Sequence, residues 1–238
     1  MSDTPHHDIT GRGPVLLLVP GGAGHPMGLG PLTERLATRF TVVTYDPLGL
    51  AHGRLGRPVA EQRVADWSEG ALRVLDAVLP GGEPAYVFGT SSGGIAVLDL
   101  LARRPGRVAH AVAHEPPCVT VLPDGAARRA ELIEQLDGPG RPPAEGESAT
   151  PMGVFLARVL RPFSAYLPDA APPGGRLTLA VGAASRGQLL DRTAQALAER
   201  LGSARAEFPG GHLGTLDHPV EFADRLAETL CPSASTSA

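Results

Sequence analysis

Short apolar runs alternate with segments of helical periodicity along almost the whole chain, and this alternation limits the fold more than any other feature. Val15–Val19 (VLLLV), Thr41–Tyr45 (TVVTY), Ala85–Phe88, Arg107–His114, Leu177–Val181 and Ala204–Phe208 read as strands. Helices are predicted at Leu32–Phe40, Gln62–Leu79, Ile95–Arg103, Gln188–Leu201 and Val220–Leu230. In Gln62–Leu79, Val64, Trp67, Ala71, Leu75 and Val78 recur at spacings of three and four, which makes one helical face apolar. The strands lack clean period-two patterning. A strand buried on both faces has no polar side, so an α/β fold is expected, with a mainly parallel sheet covered by helices on both faces.

The alternation breaks at residues 116–175. Helices are predicted near Ala126–Leu136 and Met152–Leu160, around a Pro/Gly-rich loop at 138–147. Residues 1–115 and 176–231 are expected to form the core, 116–175 an inserted lid, and 232–238 a disordered tail. Ligands of parallel sheets bind at the carboxyl ends of the strands. The residues just after each strand are therefore the first candidates.

Composition removes several function classes. All 21 basic residues are arginine, and the chain contains neither lysine nor asparagine, as a GC-rich coding sequence would favour. A Schiff-base enzyme, a Walker A nucleotidase and a Tyr-x-x-x-Lys reductase are thus excluded. The net charge of −4 gives no footprint for nucleic acid. Cys118 and Cys231 are too few for a disulfide scaffold, which fits a reducing compartment. The early apolar run Val15–Val19 is too short to span a membrane and follows a polar start unlike a signal peptide. A cytoplasmic protein acting on a small molecule, without metal or cofactor, is expected.

The strongest chemical signal is Ala85-Tyr86-Val87-Phe88-Gly89-Thr90-Ser91-Ser92-Gly93-Gly94-Ile95, a strand, then G-x-S-x-G, then a helix. A nucleophile at the tip of a sharp strand-to-helix turn sits in strained backbone. Side chains two residues before and after it would collide, and Gly89 and Gly93 remove them. Ser92 in the same role would be flanked by Thr90 and Gly94, a poorer fit. Ser91 also lies at a helix start, where amides favour negative charge. Against this stands the plainer reading of a glycine-rich turn with solvent-facing serines.

On these residues the chain resembles the α/β-hydrolase fold, in particular small bacterial (actinomycete-like) hydrolases, over most of residues 14–230. The resemblance implies a serine, an acid and a histidine in chain order. It implies an oxyanion loop at Pro20-Gly21-Gly22-Ala23-Gly24-His25, with Pro20 where the family often has histidine. The oxyanion amides would be those of Gly22 (Ala23 as the second choice) and Ser92. Ala23, His25 and Phe155 are candidate pocket residues. A rival reading takes Gly24-x-x-x-Gly28-x-Gly30, with Asp46 after the next strand, as a dinucleotide fingerprint. The spacing to the strand and the late helix start disfavour it.

His212, in Phe208-Pro209-Gly210-Gly211-His212, follows the last strand, where the resemblance puts the catalytic base. His6 and His7 read as part of a loose N-terminus. The acid departs from the pattern. Similar hydrolases often read Gly-Ala-Asp-Ser-Arg-Gly after the fifth strand, and this chain has Gly182-Ala183-Ala184-Ser185-Arg186-Gly187. Glu115, directly after the fourth strand, Asp191, or no acid at all are the alternatives.

Two further departures carry expectations. Pro47-Leu48-Gly49-Leu50-Ala51-His52 follows Asp46 in place of the commoner Arg-x-Gly-x-Ser. The opening hairpin is also expected to be missing, which would leave Thr41–Tyr45 as an exposed edge and favour a homodimer. In the lid, Leu132, Leu136, Val154, Phe155, Leu156 and Val159 either line a pocket or pack the lid down, and the 138–147 loop could gate it. The favoured activity is hydrolysis of a small to medium apolar ester or thioester through an acyl-enzyme. A serine at the elbow disfavours epoxide hydrolysis and dehalogenation. The alternatives are a repurposed biosynthetic enzyme of secondary metabolism (lyase, cyclase or cofactor-free acid–base catalyst), using His25, His52, Glu115 or His212, and a non-catalytic binder.

Overall fold

The computed structural model describes residues 4–22, 29–137, 150–168 and 175–231. Among the described residues seven strands form one sheet: β1 (His6–Thr10), β2 (Val15–Val19), β3 (Thr41–Asp46), β4 (Ala85–Thr90), β5 (Val108–His114), β6 (Leu177–Gly182) and β7 (Ala204–Phe208). Their spatial order is β1-β3-β2-β4-β5-β6-β7. Every pairing is parallel except that of β1 with β3. Strands β2 to β6 are buried almost throughout, as their continuous apolar runs require.

Two apolar layers sandwich the sheet. On one face lie α2 (Val64–Val78), α3 (Ser92–Arg103) and α7 (Leu189–Leu201). The predicted face of α2 is the buried one, with Val64, Trp67, Ala71, Val74 and Leu75 in the core. On the other face α1 (Gly30–Leu36) and α9 (Pro219–Leu230) bury Leu32, Leu36, Phe222 and Leu226. Helix α4 (Gly125–Asp137) and a helical run over 151–163 lie between β5 and β6. That run comprises α5 (Pro151–Val154), a wide turn Phe155–Val159 and α6 (Leu160–Phe163). A short α8 (Gly214–Asp217) precedes α9.

The start of the chain differs from expectation. His6 and His7 lie in β1, which pairs antiparallel with β3 from His6↔Asp46 to Thr10↔Val42. The β3 edge is therefore covered, and the argument for a dimer through it falls away. The segment HHDIT is almost wholly exposed, so no apolar pattern marks it. It joins the sheet through backbone hydrogen bonds, which any sequence can make.

In the lid, Val154 and Val159 are buried in the core, so packing rather than pocket lining explains these two, whereas Leu156 is exposed. The loop 138–147, the Leu136 side chain and the tail 232–238 lie outside the described residues. Among the described residues no helix is long and apolar enough to cross a membrane.

Candidate active site

Ser91 occupies the turn between β4 and α3 at φ 53°, ψ −124°, a region that non-glycine residues rarely adopt. Packing holds it there. Its N–H donates to the His114 carbonyl at 2.8 Å. A Cβ on Gly89 would lie 2.4 Å from the Gly93 carbonyl oxygen, and one on Gly93 would lie 2.1 Å from that of Val19. Both neighbours are backbone and cannot swing away. The two glycines of the motif are thus required by close approach.

Gly21 and Gly22 come up beside the elbow. A Cβ on Gly21 would be 2.8 Å from the Ser91 Cβ, whereas Gly22, at φ 53°, faces open space. Ser92 is the first residue of α3, so its N–H has no intrahelical acceptor. Of the two candidate oxyanion residues, Ser92 follows Ser91 directly and Gly22 lines the same cavity as Ser91. Ala23 and His25 lie outside the described residues.

Glu115 and Asp191 differ in what they contact. Glu115 follows β5 in the left-handed region at φ 44°, and its side chain is wholly buried. One carboxylate oxygen, Oε1, accepts the Gly182 N–H at 2.9 Å. The other, Oε2, lies 3.0 Å from His212 Nδ1. A carboxylate can only accept, so Nδ1 carries the proton and Nε2 is the free nitrogen. Burial pushes the Glu115 carboxyl up. Hydrogen bonds from His212, Ser185 and Gly182, together with the nearby His114, outweigh that and hold its pKa down at about 2. Asp191 makes no such contact. It accepts from the Gly187 N–H at 2.6 Å and is bonded to Arg205, so the Asp191 alternative is set aside. Ala184 lies beside the histidine loop: its N–H donates to the Gly210 carbonyl at 2.8 Å.

His212 sits between β7 and α8, about two-fifths exposed. It lines a cavity of about 170 Å³ with Pro20, Gly21, Gly22, Thr90, Ser91 and Thr215. Leu29, Met152, Phe155, Leu213 and Leu216 make the rest of the lining apolar. Phe155 was singled out in the sequence. The other four apolar residues were not, although Leu213 follows His212 directly.

His114 was also missed as a site residue. It is wholly buried, its Nδ1 lies 3.2 Å from Thr90 Oγ1, and its ring lies 6.5 Å from that of His212 at 21°. Burial pushes its pKa down to about 4, with Glu115 raising it and His212 lowering it. Its Nε2 is buried with no hydrogen-bond partner among the described residues. The adjacency of His114 to Glu115 was the available signal.

Asp46 is wholly buried, and its carboxylate accepts from the Leu50 and Ala51 amides and pairs with His52 Nδ1 at 2.8 Å. It is thus committed to the loop after β3, which removes the ribose-binding acid of the dinucleotide reading. Among the described residues no three His, Cys, Asp or Glu side chains converge as metal ligands.

Comparison with known proteins agrees with this fold. The model of the alpha/beta hydrolase family matches residues 16–225. The chain is 32% identical over 250 residues to an uncharacterized hydrolase, YraK, of Bacillus subtilis, spanning 94% of this chain and 92% of that protein. An alpha/beta hydrolase from Sphaerobacter thermophilus is structurally similar, with a TM-score of 0.62 and 24% identity over 95% of this chain and 96% of the other. The carboxylesterase CesB from Bacillus subtilis superposes with a TM-score of 0.59 and 21% identity over 96% of this chain and 88% of its own. With its nucleophile elbow and family match covering most of its length, this chain belongs to the alpha/beta hydrolase family.

Proposed function

We propose that the protein hydrolyses a carboxylic ester or thioester with a small to medium apolar acyl group, through an acyl-enzyme. The observation that carries this reading is the 3.0 Å Glu115–His212 bond at the wall of an apolar cavity that Ser91 also lines. Similarity in fold to a carboxylesterase is consistent with it.

Ser91 Oγ attacks the carbonyl carbon as His212 Nε2 takes its proton. The C=O electron pair moves onto oxygen, and the Gly22 and Ser92 amides hold the oxyanion. Collapse re-forms the carbonyl and breaks the bond to the alcohol or thiol, which leaves with the proton from His212. Water then attacks the acyl-enzyme, giving its proton to His212. A second collapse releases the acid and returns the proton to Ser91. Glu115 keeps the His212 tautomer and offsets the charge of the imidazolium.

Residues 116–175 act as a cap, which the contribution of Met152 and Phe155 to the cavity supports. A cytoplasmic setting is consistent with Cys118 and Cys231 both being free.

The test is intact mass after treatment with a fluorophosphonate. A single adduct on wild type, absent from Ser91→Ala and His212→Ala, is expected. No adduct on folded wild-type protein would move the reading to acid–base chemistry or binding in the same cavity.

A further inference from the structure

Pro162 lies inside the helical run that supplies Met152 and Phe155 to the cavity. A proline in a helix has no N–H to donate, and its ring crowds the carbonyl four residues back. Here that is the Arg158 carbonyl, and it accepts the Gln62 N–H instead, at 2.8 Å. The helix widens just before the proline. The Leu160 N–H reaches back five residues to the Phe155 carbonyl, so Phe155–Val159 form a π turn. Such turns concentrate at functional sites, and the extra residue rotates one part of the helix against the other by about 100°.

The far end of the run is fixed to the core. Val159 and Phe163 are buried, and the Phe163 ring packs edge-on against Trp67 with centroids 5.0 Å apart. Trp67 in turn donates to the Gln62 side chain. With that end fixed, the wide turn decides where Phe155 points, and Phe155 lines the cavity.

The cavity itself defines an occupant. An apolar cavity of about 150 Å³ holds a benzene ring, and this one measures about 170 Å³. Among the described residues that line it, none is Arg, Asp or Glu. Met152 and Leu213 are 47% and 52% exposed and belong to both the lining and the surface, so they form its apolar rim. In an acyl-enzyme the acyl group stays while the alcohol must leave, so the enclosed part suits the acyl side and the rim the leaving group.

We propose that Phe155, held by the π turn that Pro162 imposes, sets the acyl specificity of this protein, which admits a neutral, apolar acyl group of about six carbons. Phe155 is the specificity-determining residue and Pro162 a positioning residue. The inference rests on the hydrolase reading above.

The experiment measures kcat/KM for p-nitrophenyl esters from acetyl to dodecanoyl, with hexanedioyl half-ester as a charged control. Each methylene that enters the cavity should add about fourfold, with the rise ending near hexanoyl and the charged control poor. Phe155→Ala should move the end of the rise to longer chains. Phe155→Trp should lower hexanoyl turnover more than tenfold relative to acetyl turnover by the same variant. Pro162→Ala should flatten the chain-length profile at a nearly unchanged acetyl kcat. Unchanged profiles in both Phe155 variants would overturn the proposal. So would a dependence on alcohol length, read with alkyl acetates, that tracks Phe155 instead.

Binding of the same esters to Ser91→Ala protein, with and without Phe155→Ala, separates the two levels of inference. Wild type without turnover, but binding that follows acyl length and shifts with Phe155, would retire the hydrolase reading and keep the Phe155 assignment. Neither turnover nor length-dependent binding would remove both.

Discussion

Glu115 Oε2 and His212 Nδ1 meet at 3.0 Å although 97 residues separate them along the chain. The carboxylate is wholly buried, and its second oxygen is held by the Gly182 amide. In the proposed mechanism this bond fixes the imidazole tautomer. Glu115→Gln keeps the shape and removes the charge. Its kcat/KM is expected to fall roughly 10⁴-fold, the loss seen when a serine protease loses its orienting carboxylate, with the far-UV spectrum retained. A fall below tenfold would mean that Glu115 does not perform this task.

Ala184 stands where the resemblance in sequence would place the acid. Its Cβ lies 3.6 Å from the position a Cβ on Gly211 would take, one residue before His212. A carboxylate at 184 is thus within reach of the histidine loop. Ala184→Asp placed in the Glu115→Ala background is expected to recover at least tenfold of the lost kcat/KM. Ala184→Asn in the same background should recover none, because it offers no charge. Equal recovery by the two would point to a packing effect.

Acid should weaken the fold in two windows. His114 is held neutral by burial, with its pKa lowered to about 4 from the usual 6.5. Glu115 is held at about 2 against the usual 4.5. Both groups bind protons more readily in the unfolded chain, so stability rises with pH across each interval. The His114 contribution is complete above pH 6.5 and lost as pH falls toward 4. The Glu115 contribution is complete above pH 4.5 and lost toward 2. In His114→Phe the decline in Tm between pH 6.5 and 4 should be shallower, with the lower window retained. His110 also shifts downward through burial but is present in both proteins, so the difference isolates His114. Parallel Tm curves would contradict the assignment.

The elbow leaves no room for a methyl group. A Cβ at Gly93 would meet three backbone atoms of Val19 and Pro20 at 2.1 to 2.8 Å. Gly93→Ala is expected to lose about 3 kcal/mol of stability or more. Gly106→Ala, where a Cβ meets nothing within 4 Å, should stay within about 0.5 kcal/mol. Urea unfolding of the two variants makes the comparison, and equal stabilities would mean the elbow relaxes more than this geometry allows.

Much of the architecture was readable in order along the chain. The six apolar runs became β2 to β7, and the period of α2 identified its buried face. Ser91 was located because a strand, two spaced glycines and a helix are all local. The misses are also physical. β1 carries no apolar pattern because it is an exposed edge strand. Helix α3 begins at Ser92, earlier than its first branched apolar residue, Ile95, because glycines at the elbow hide the helical period. The wide turn at Phe155–Val159 interrupts the helix expected near Met152–Leu160, and its local signal is Pro162.

Sequence by itself determined the α/β class, the nucleophile elbow, the candidate base and the absence of lysine chemistry. Each of these depends on residue type or on spacing within a few turns of backbone. The choice between Glu115, Asp191 and no acid was open at that level, because those residues differ in what they face, and facing is set by the register of β5, β6 and β7. Tertiary structure separates their surroundings: β5 and β6 lie side by side, β6 pairs with β7, and Glu115, in the left-handed turn after β5, meets His212 while Arg205 and the Gly187 amide occupy Asp191. A contact between groups 97 residues apart leaves no local trace, since the free energy that favours it is gained only when the whole sheet has closed around it.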